Sequence, residues 1–251
     1  MFETLLSYLV YLAVVYGATI ALYFVLGGAI TWFNRRIPDR RIQKNRSGDE
    51  RFGLEVRKSL TALFMTSICV SFGLFAQARG WTMAPLEAGW LSLLSMWLLS
   101  MVLFDAWFYF GHRLMHSRFL YRWHRLHHMS LAPTTWSNDS STMVDTLVMH
   151  GYYALAPFIL PIPPLALIAH RLYDQVNGML GHAGFEYFAS SSTRWPSPMV
   201  CVTFHDQHHS AFRFNYGNFT SIWDRLMGTL HPDYDVIVSK LTQNQSPASS
   251  G

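Results

Sequence analysis

Residues 111–128 read GHRLMHSRFLYRWHRLHH and contain five histidines. They form one HxxxH pattern and one HxxHH pattern, at His112, His116, His124, His127 and His128. Residues three or four positions apart lie on the same face of a helix, so a helical segment presents these imidazoles together. Neutral imidazole is the commonest metal ligand among protein side chains. The segment therefore predicts a metal site.

The HxxHH pattern recurs about 80 residues further along the chain, in the sequence HDQHH. This copy adds His205, His208 and His209. Eight imidazoles are too many for one metal ion and about right for two ions that keep open positions. Imidazole suits iron, copper, nickel and zinc alike, so these residues alone leave the metal undecided. The sequence contains neither HExxH nor GxSxG, which removes the usual motifs of a zinc protease and of a serine hydrolase.

The composition is that of an integral membrane protein. Of the 251 residues, 51% are hydrophobic and only 14% are charged, and low charge with long apolar runs is typical of membrane-spanning chains. The net charge of +4 is concentrated in one basic loop, so it indicates membrane topology and not nucleic-acid binding. The two cysteines, Cys69 and Cys201, are far apart and form no CxxC, so neither a disulfide scaffold nor a thiolate metal site is indicated.

Three apolar stretches predict three membrane spans. Residues 4–34 carry no charge, which exceeds the roughly 20 residues needed to cross a bilayer, and they are interpreted as a retained anchor. Residues 59–78 and 88–104 predict the second and third spans, and the third continues into the first histidines. The loop at residues 34–58 is rich in arginine and lysine and is expected on the cytoplasmic side. The third span then delivers His112 to that same side.

A fourth apolar stretch, residues 146–169, is interrupted by Pro157, Pro161, Pro163 and Pro164. A single crossing here would place the two HxxHH patterns on opposite sides of the membrane, and no joint site could form. Two half-length helices that re-enter the membrane as a hairpin keep the histidines together, because non-helical backbone at depth is tolerated where protein buries it.

The predicted fold is therefore an all-α integral membrane bundle of three spans and a re-entrant helical hairpin, closed by a cytoplasmic histidine-rich helical cap. Residues 1–251 form a single membrane domain. It divides into N-terminal anchor spans at 1–87, a histidine-box core at 88–231 and a tail at 232–251.

The histidine patterns, together with DAWFYFGHRLMH before them and NYGNFTSIWDRLMGT after them, resemble the fatty acid hydroxylase/sterol desaturase superfamily of membrane-bound histidine-box di-iron enzymes. The resemblance covers roughly residues 88–229. It implies two iron ions, which zinc can replace in a mis-metallated sample, and O2 as co-substrate. Many members carry another histidine between the second and third boxes, and His182 in GHAGF matches that position.

Two positions depart from the pattern of the sterol and ceramide branches. A histidine and a glutamate follow the second box there, whereas this chain has Thr142 and Asp145. Gly178 stands where some members have another histidine. The resemblance therefore implies a lipid oxidase but does not choose a lipid.

Further residues are expected to support the metal ligands or to line a substrate cavity. Asp105 lies about two helical turns before His112, on nearly the same face, where a carboxylate can orient a ligand histidine. The other two candidates for this supporting role are Asp145 and Asn218. The candidates for the cavity are Trp107, Tyr109 and His150.

The expected function is hydroxylation of an unactivated C–H bond of a membrane lipid, with the metal ligands as the catalytic groups. Desaturation of a sterol or fatty acyl chain on the same site is the alternative. A more distant one is a non-enzymatic membrane metal-binding or transport protein. An external ferredoxin, cytochrome or reductase is expected to deliver the electrons, and no nucleic acid is expected as a partner.

Overall fold

A computed structural model describes residues 2–245, which form ten α-helices. These helices are α1 (Phe2–Asn34), α2 (Phe52–Ala78), α3 (Trp90–Met115), α4 (Tyr121–His128), α5 (Met143–His150), α6 (Tyr152–Ile159), α7 (Pro164–Gly181), α8 (Val202–Ala211), α9 (Ile222–Leu226) and α10 (Tyr234–Gln245). Across residues 2–245 the only β pairing is two isolated bridges. The all-α prediction is confirmed.

The helices α1, α2 and α3 are long and apolar enough to cross a membrane. Most of α2 is buried, whereas α1 and α3 expose large apolar side chains such as Val14 (66%) and Trp90 (90%). Exposed apolar surface on this scale is unfavourable in water, and a lipid environment suits it. The helix α2 thus lies inside the bundle, with α1 packed along it.

The second long helix begins seven residues before the predicted span, at Phe52 instead of Ser59. Its first turns contain Glu55, which is fully buried and accepts a hydrogen bond from the Ser130 hydroxyl at 2.5 Å. Arg51 lies 3.7 Å from the same carboxylate. The basic end of the predicted loop is helical because these contacts fix it against the segment that follows the second histidine box.

The chain reverses direction between α6 and α7, around the predicted prolines. The turn lies beside the far end of α2, where the Gln77 side-chain amide donates to the Ile162 carbonyl at 2.7 Å. The first arm consists of two helices, α5 and α6, that meet at Gly151, and not of a single helix. The second arm, α7, returns to the level of the histidines. The placement of this hairpin in a membrane stays a prediction.

Pro157 does not end its helix but lies inside α6. A proline has no N–H, so the carbonyl of Tyr153, four residues earlier, loses its helical donor. Gly73 of α2 packs against this carbonyl so closely that a Cβ there would lie 2.3 Å from the oxygen. The glycine allows the two helices to approach at the point where the proline weakens the hydrogen-bond ladder.

The helices α8 and α10 form the end of the molecule that closes over the histidines. Phe204, Tyr234 and Val238 are buried in a small apolar core there, and the Tyr234 hydroxyl donates to the Thr193 carbonyl at 2.6 Å. The helix α10 occupies most of the predicted tail up to residue 245. Residues 246–251 lie outside the described residues.

Candidate metal centre

Nine histidines converge in two groups at the end of the long helices. The five-histidine group contains His112, His116, His124, His128 and His208. The four-histidine group contains His127, His182, His205 and His209. Within each group the ligand nitrogens all lie within 4.8 Å of one another.

The nitrogens within a group are spaced as ligands around one ion would be. In the five-histidine group the Nε2 atom of His128 lies 3.0 Å from that of His116 and 3.1 Å from that of His208. In the four-histidine group the Nε2 atom of His205 lies 2.9 Å from that of His182 and 3.1 Å from that of His209. A metal–imidazole bond is about 2.0–2.1 Å, so neighbouring nitrogens around one ion lie about 3 Å apart. The geometry fits one metal ion in each group.

Helical geometry assigns neighbouring histidines to different groups. On α4, at 3.6 residues per turn, His128 points about 40° to one side of His124 and His127 about 60° to the other side, so His127 and His128 diverge by about 100°. His124 and His128 belong to the five-histidine group, and His127 belongs to the four-histidine group. On α8 the assignment is reversed. His205 and His209 belong to the four-histidine group, and His208 belongs to the five-histidine group. Each HxxHH motif therefore contributes ligands to both groups.

Hydrogen bonds at the other ring nitrogen fix several imidazoles with Nε2 directed at the centre. His112 Nδ1 donates to the Tyr216 carbonyl at 2.9 Å, and His208 Nδ1 donates to the Phe214 carbonyl at 2.6 Å. His182 Nδ1 donates to the Gly178 carbonyl at 2.8 Å. Because a carbonyl only accepts, Nδ1 carries the proton and Nε2 keeps its lone pair. This is the tautomer that a metal ion requires.

Burial favours the neutral form of several of these imidazoles. It lowers the pKa of His116 to about 3, with the neighbouring His124 adding to the effect. It lowers the pKa of His182 to about 4, against a hydrogen bond to Gly178 that raises it. Burial and then nearby imidazoles also hold the pKa values of His127 and His209 well below the usual value. Because only the neutral ring binds a metal, both groups are suited to ligation at neutral pH.

Of the three predicted supporting residues, Asp145 contacts a ligand histidine. Its Oδ2 atom lies 2.9 Å from His124 Nδ1 and also accepts from the Ser141 hydroxyl. The hydroxyl of Thr142, the N-cap residue of α5, accepts a hydrogen bond from the Asp145 backbone N–H at 3.2 Å. This bond fixes the start of the helix.

The structure places Asp105 and Asn218 elsewhere. Asp105 does not touch His112, because its carboxylate accepts from the backbone N–H groups of Phe219 and Thr220 at 3.0 and 3.2 Å. Asn218 donates to Asp174 at 3.0 Å and contacts no ligand histidine. The side chain of Asp105 therefore holds residues 219 and 220 against α3.

Residues 215–229, NYGNFTSIWDRLMGT, form a frame behind the five-histidine group. Asp224 accepts from the backbone N–H groups of Tyr216 and Gly217, at 2.9 and 2.8 Å, and from the Thr229 hydroxyl at 2.7 Å. A Cβ on Gly217 would lie 2.4 Å from the Thr220 carbonyl, so only glycine fits there. The frame positions the Tyr216 carbonyl that orients His112.

Contacts from the basic loop also hold α8, and sequence reasoning missed them. Asp206, between two ligands, accepts from Gln43 at 2.8 Å and from Arg46 at 2.7 Å. Glu186 accepts from the backbone N–H and hydroxyl of Thr203 at the start of the helix. No local pattern pairs residues 160 positions apart, although a buried acid within a histidine box is a signal that a partner exists.

One cavity adjoins both histidine groups. His112 and His124 of the first group line it together with His127, His182 and His205 of the second. His150 also lines it, whereas Trp107 and Tyr109 do not belong to its wall in the part of the chain that the structure describes. The Trp107 ring nitrogen donates to the Val148 carbonyl and the Tyr109 hydroxyl contacts that of Thr229, so both side chains face neighbouring helices.

Comparison with known proteins agrees with this architecture. A sequence model of the fatty acid hydroxylase family matches residues 97–229, more than half of the chain. A probable Delta(7)-sterol 5(6)-desaturase of Neurospora crassa is 28% identical over 195 residues, covering 74% of this chain and 54% of the relative.

Two further relatives carry other names. A lathosterol oxidase of Rattus norvegicus is 29% identical, covering 57% of this chain and 48% of the relative. A cholesterol 25-hydroxylase-like protein of Danio rerio is 27% identical, covering 52% and 53%.

The chain spans about half the length of these curated relatives. No solved structure matches it. The matched region begins within α3 and ends at residue 229, the last residue of the frame behind the five-histidine group. It therefore contains every histidine of both groups. On this evidence the chain belongs to the fatty acid hydroxylase family.

Proposed function

We propose that this protein is a membrane-bound, O2-dependent di-iron oxygenase that hydroxylates an unactivated C–H bond of a lipid. The observation that carries the proposal is the position of the cavity, which adjoins ligands of both histidine groups. Iron bound in the two groups would supply the redox chemistry that activates O2. The nine imidazoles, His182 included, are the proposed ligands.

The chain's own residues would hold the metals and position the substrate. The hydrogen bonds from His112, His182 and His208 to backbone carbonyls keep Nε2 unprotonated and directed inward. Phe108 and Met149 give the cavity apolar wall, which suits a hydrocarbon substrate and keeps water from the reacting carbon. We propose that the site lies on the cytoplasmic face, because the loop before α2 carries seven arginine and lysine residues whereas the loop between α2 and α3 carries one.

Electrons would come from outside this chain. An iron–sulfur cluster is held by about four cysteines, and the chain has only Cys69 and Cys201, both free and buried. We therefore propose a separate ferredoxin, cytochrome or reductase as the donor.

Desaturation is the second candidate, and the names of the relatives favour it. Those from Neurospora crassa and Rattus norvegicus are called a sterol desaturase and a lathosterol oxidase, whereas the Danio rerio relative is called hydroxylase-like. Hydroxylation and desaturation both begin by removing hydrogen from a positioned carbon. A sterol or similar neutral lipid is the substrate class that these names support.

Lipid mass spectrometry tests the proposal and separates the two reactions. Cells that express the native protein are compared with cells that express a His127→Ala/His128→Ala variant, in air and with a competent electron donor. A lipid that gains sixteen mass units only with the native protein indicates hydroxylation, and one that loses two indicates desaturation. An unchanged lipid profile would contradict both and favour a metal-binding or transport role.

A further inference from the structure

A buried charged cluster on α7 lines the same cavity without contacting the proposed metal ligands. Arg171 is 8% exposed and Asp174 is 5% exposed. The Asp174 carboxylate accepts from the Tyr153 hydroxyl at 3.0 Å and from the Asn218 amide at 3.0 Å. Arg171 lies 3.5 Å from the same carboxylate and also donates to Gln175. Ionisable groups within an apolar hairpin are costly and are usually functional.

The cluster retains unused hydrogen-bonding capacity. The Arg171 Nε–H is buried and has no hydrogen-bond partner among residues 2–245. The Oδ1 atom of Asp174 receives one bond, from Asn218, although a carboxylate oxygen can accept two. An unpaired buried donor destabilises the protein by about 1–3 kcal/mol. A ligand group that both donates and accepts would satisfy both atoms.

The charge of the cluster selects among such groups. Asp139, which accepts from Gln175 at 2.8 Å, is a second buried carboxylate in the cavity wall. Two acidic side chains therefore already neighbour the one guanidinium, which leaves no free positive charge for an anionic headgroup. The His150 ring also lies in the cluster, with its Nε2 atom 3.6 Å from Asp174 Oδ2. A neutral hydroxyl can donate to Asp174 and accept from Arg171 without adding charge.

The helix also sets a distance between this cluster and the histidines. Asp174 lies eight residues before His182 on or next to α7. At 1.5 Å per residue, the two positions are about 12 Å apart along the helix axis. A substrate anchored at Asp174 would extend toward the histidines over a length on the order of 10 Å.

We propose that Arg171, Asp174 and Asn218 form a subsite that binds an uncharged hydroxyl group of the lipid substrate and holds the reacting carbon far from that hydroxyl. The substrate class is a neutral lipid alcohol, such as a sterol. This inference rests on the proposed oxidation of a lipid, but the binding it predicts does not require metal.

Competition binding to the full-length protein in detergent, without an electron donor, tests the subsite directly. Tritiated cholesterol is displaced by unlabelled cholesterol, by its analogue without the 3-hydroxyl and by cholesterol sulfate. A second matched set is hexadecanol, hexadecane and palmitate. In at least one set we expect the native protein to bind the alcohol at least tenfold more tightly than the hydrocarbon or the anion.

Variants identify the residues responsible. Arg171→Gln and Asn218→Ala should each reduce this preference, so that the alcohol binds no more than about threefold more tightly than the hydrocarbon. Arg194→Gln is the matched control, because Arg194 is half-buried outside the cavity and should keep the native preference. Asn218 is only half-buried, so its variant provides the test if Arg171→Gln fails to fold.

Equal binding of alcohol and hydrocarbon in both sets would overturn the subsite, and so would tighter binding of the anions. A preference that survives both variants would also overturn it. A protein that prefers the hydroxyl but oxidises no lipid would refute the proposed function and leave the subsite intact. A protein that oxidises a lipid without any preference for the hydroxyl would overturn the subsite and leave the proposed function intact.

Discussion

The two histidine groups contain the same ligand type but are supported in different ways. The five-histidine group is supported nearby, since a carboxylate, Asp145, contacts its His124 directly and the frame around Tyr216 contacts its His112. In the four-histidine group, the supporting carboxylate is Asp206, which contacts Arg46 and Gln43 and no histidine of the group. A backbone carbonyl, that of Gly178, does orient His182 of this group. The difference therefore lies in the carboxylates, because one contacts an imidazole directly and the other acts through the position of α8.

This difference predicts unequal sensitivity to change. A direct carboxylate–imidazole bond fixes one ring and raises its strength as a ligand. A salt bridge from a partly exposed arginine contributes less, about 0.2–1 kcal/mol. Loss of a ligand should affect either group strongly, whereas loss of a supporting contact should affect the five-histidine group more than the four-histidine group.

Removing one ligand from each group should produce the largest effect. His127→Ala and His128→Ala change adjacent residues that belong to different groups. We expect each variant to retain about one metal ion per chain where the native protein retains two, and to lose at least 100-fold in lipid oxidation. Elemental analysis and lipid mass spectrometry measure the two effects.

His231, which belongs to neither group, provides the control for this comparison. His231 is half-buried, so His231→Ala should keep both metals. A single metal in the native protein, or the same metal loss from all three variants, would contradict the assignment of two separate sites.

Removing the direct carboxylate should produce an intermediate effect. Asp145→Asn keeps the shape of the side chain but removes the charge that faces His124 at 2.9 Å. Loss of such a partner lowers metal affinity about 10–100-fold. We expect this loss for the metal of the five-histidine group alone, measured by titration with a competing chelator. Asp233→Asn, at an exposed position, is the matched control and should change neither affinity.

The sequence predicted which histidines lie together better than it predicted which residues contact them. The spacing of the boxes is local, so helical geometry brings His124 and His128 to one face, and the family resemblance added His182. Asp145 was predicted and contacts a ligand. Asp105 was predicted about two helical turns before His112 and facing it. Its side chain turns instead toward Phe219 and Thr220, which only the folded chain brings there.

The contacts that the sequence did not predict are those made by backbone atoms or by distant residues. The carbonyls that orient His112 and His208 have no side-chain signature, because any residue has a carbonyl. A break at the prolines was predicted, and the helices do end and restart around residues 160–163, although Pro157 lies inside α6. The split at Gly151 was not predicted, since two short helices and one longer helix have the same apolar pattern.

Removing the distant support should produce the smallest effect and complete the comparison. Arg46 is 32% exposed, and its salt bridge with Asp206 at 2.7 Å connects the basic loop to α8. Because the expected loss is at most about 1 kcal/mol, Arg46→Gln should weaken metal binding in the four-histidine group, which takes two histidines from α8, by about twofold to fivefold. The five-histidine group takes only His208 from α8 and should be weakened less. Lys44→Gln removes the same charge from an exposed neighbour and should change neither group. If Arg46→Gln weakened the five-histidine group equally, the two groups would share their support, and the distinction between a carboxylate that contacts an imidazole and one that positions α8 would fail.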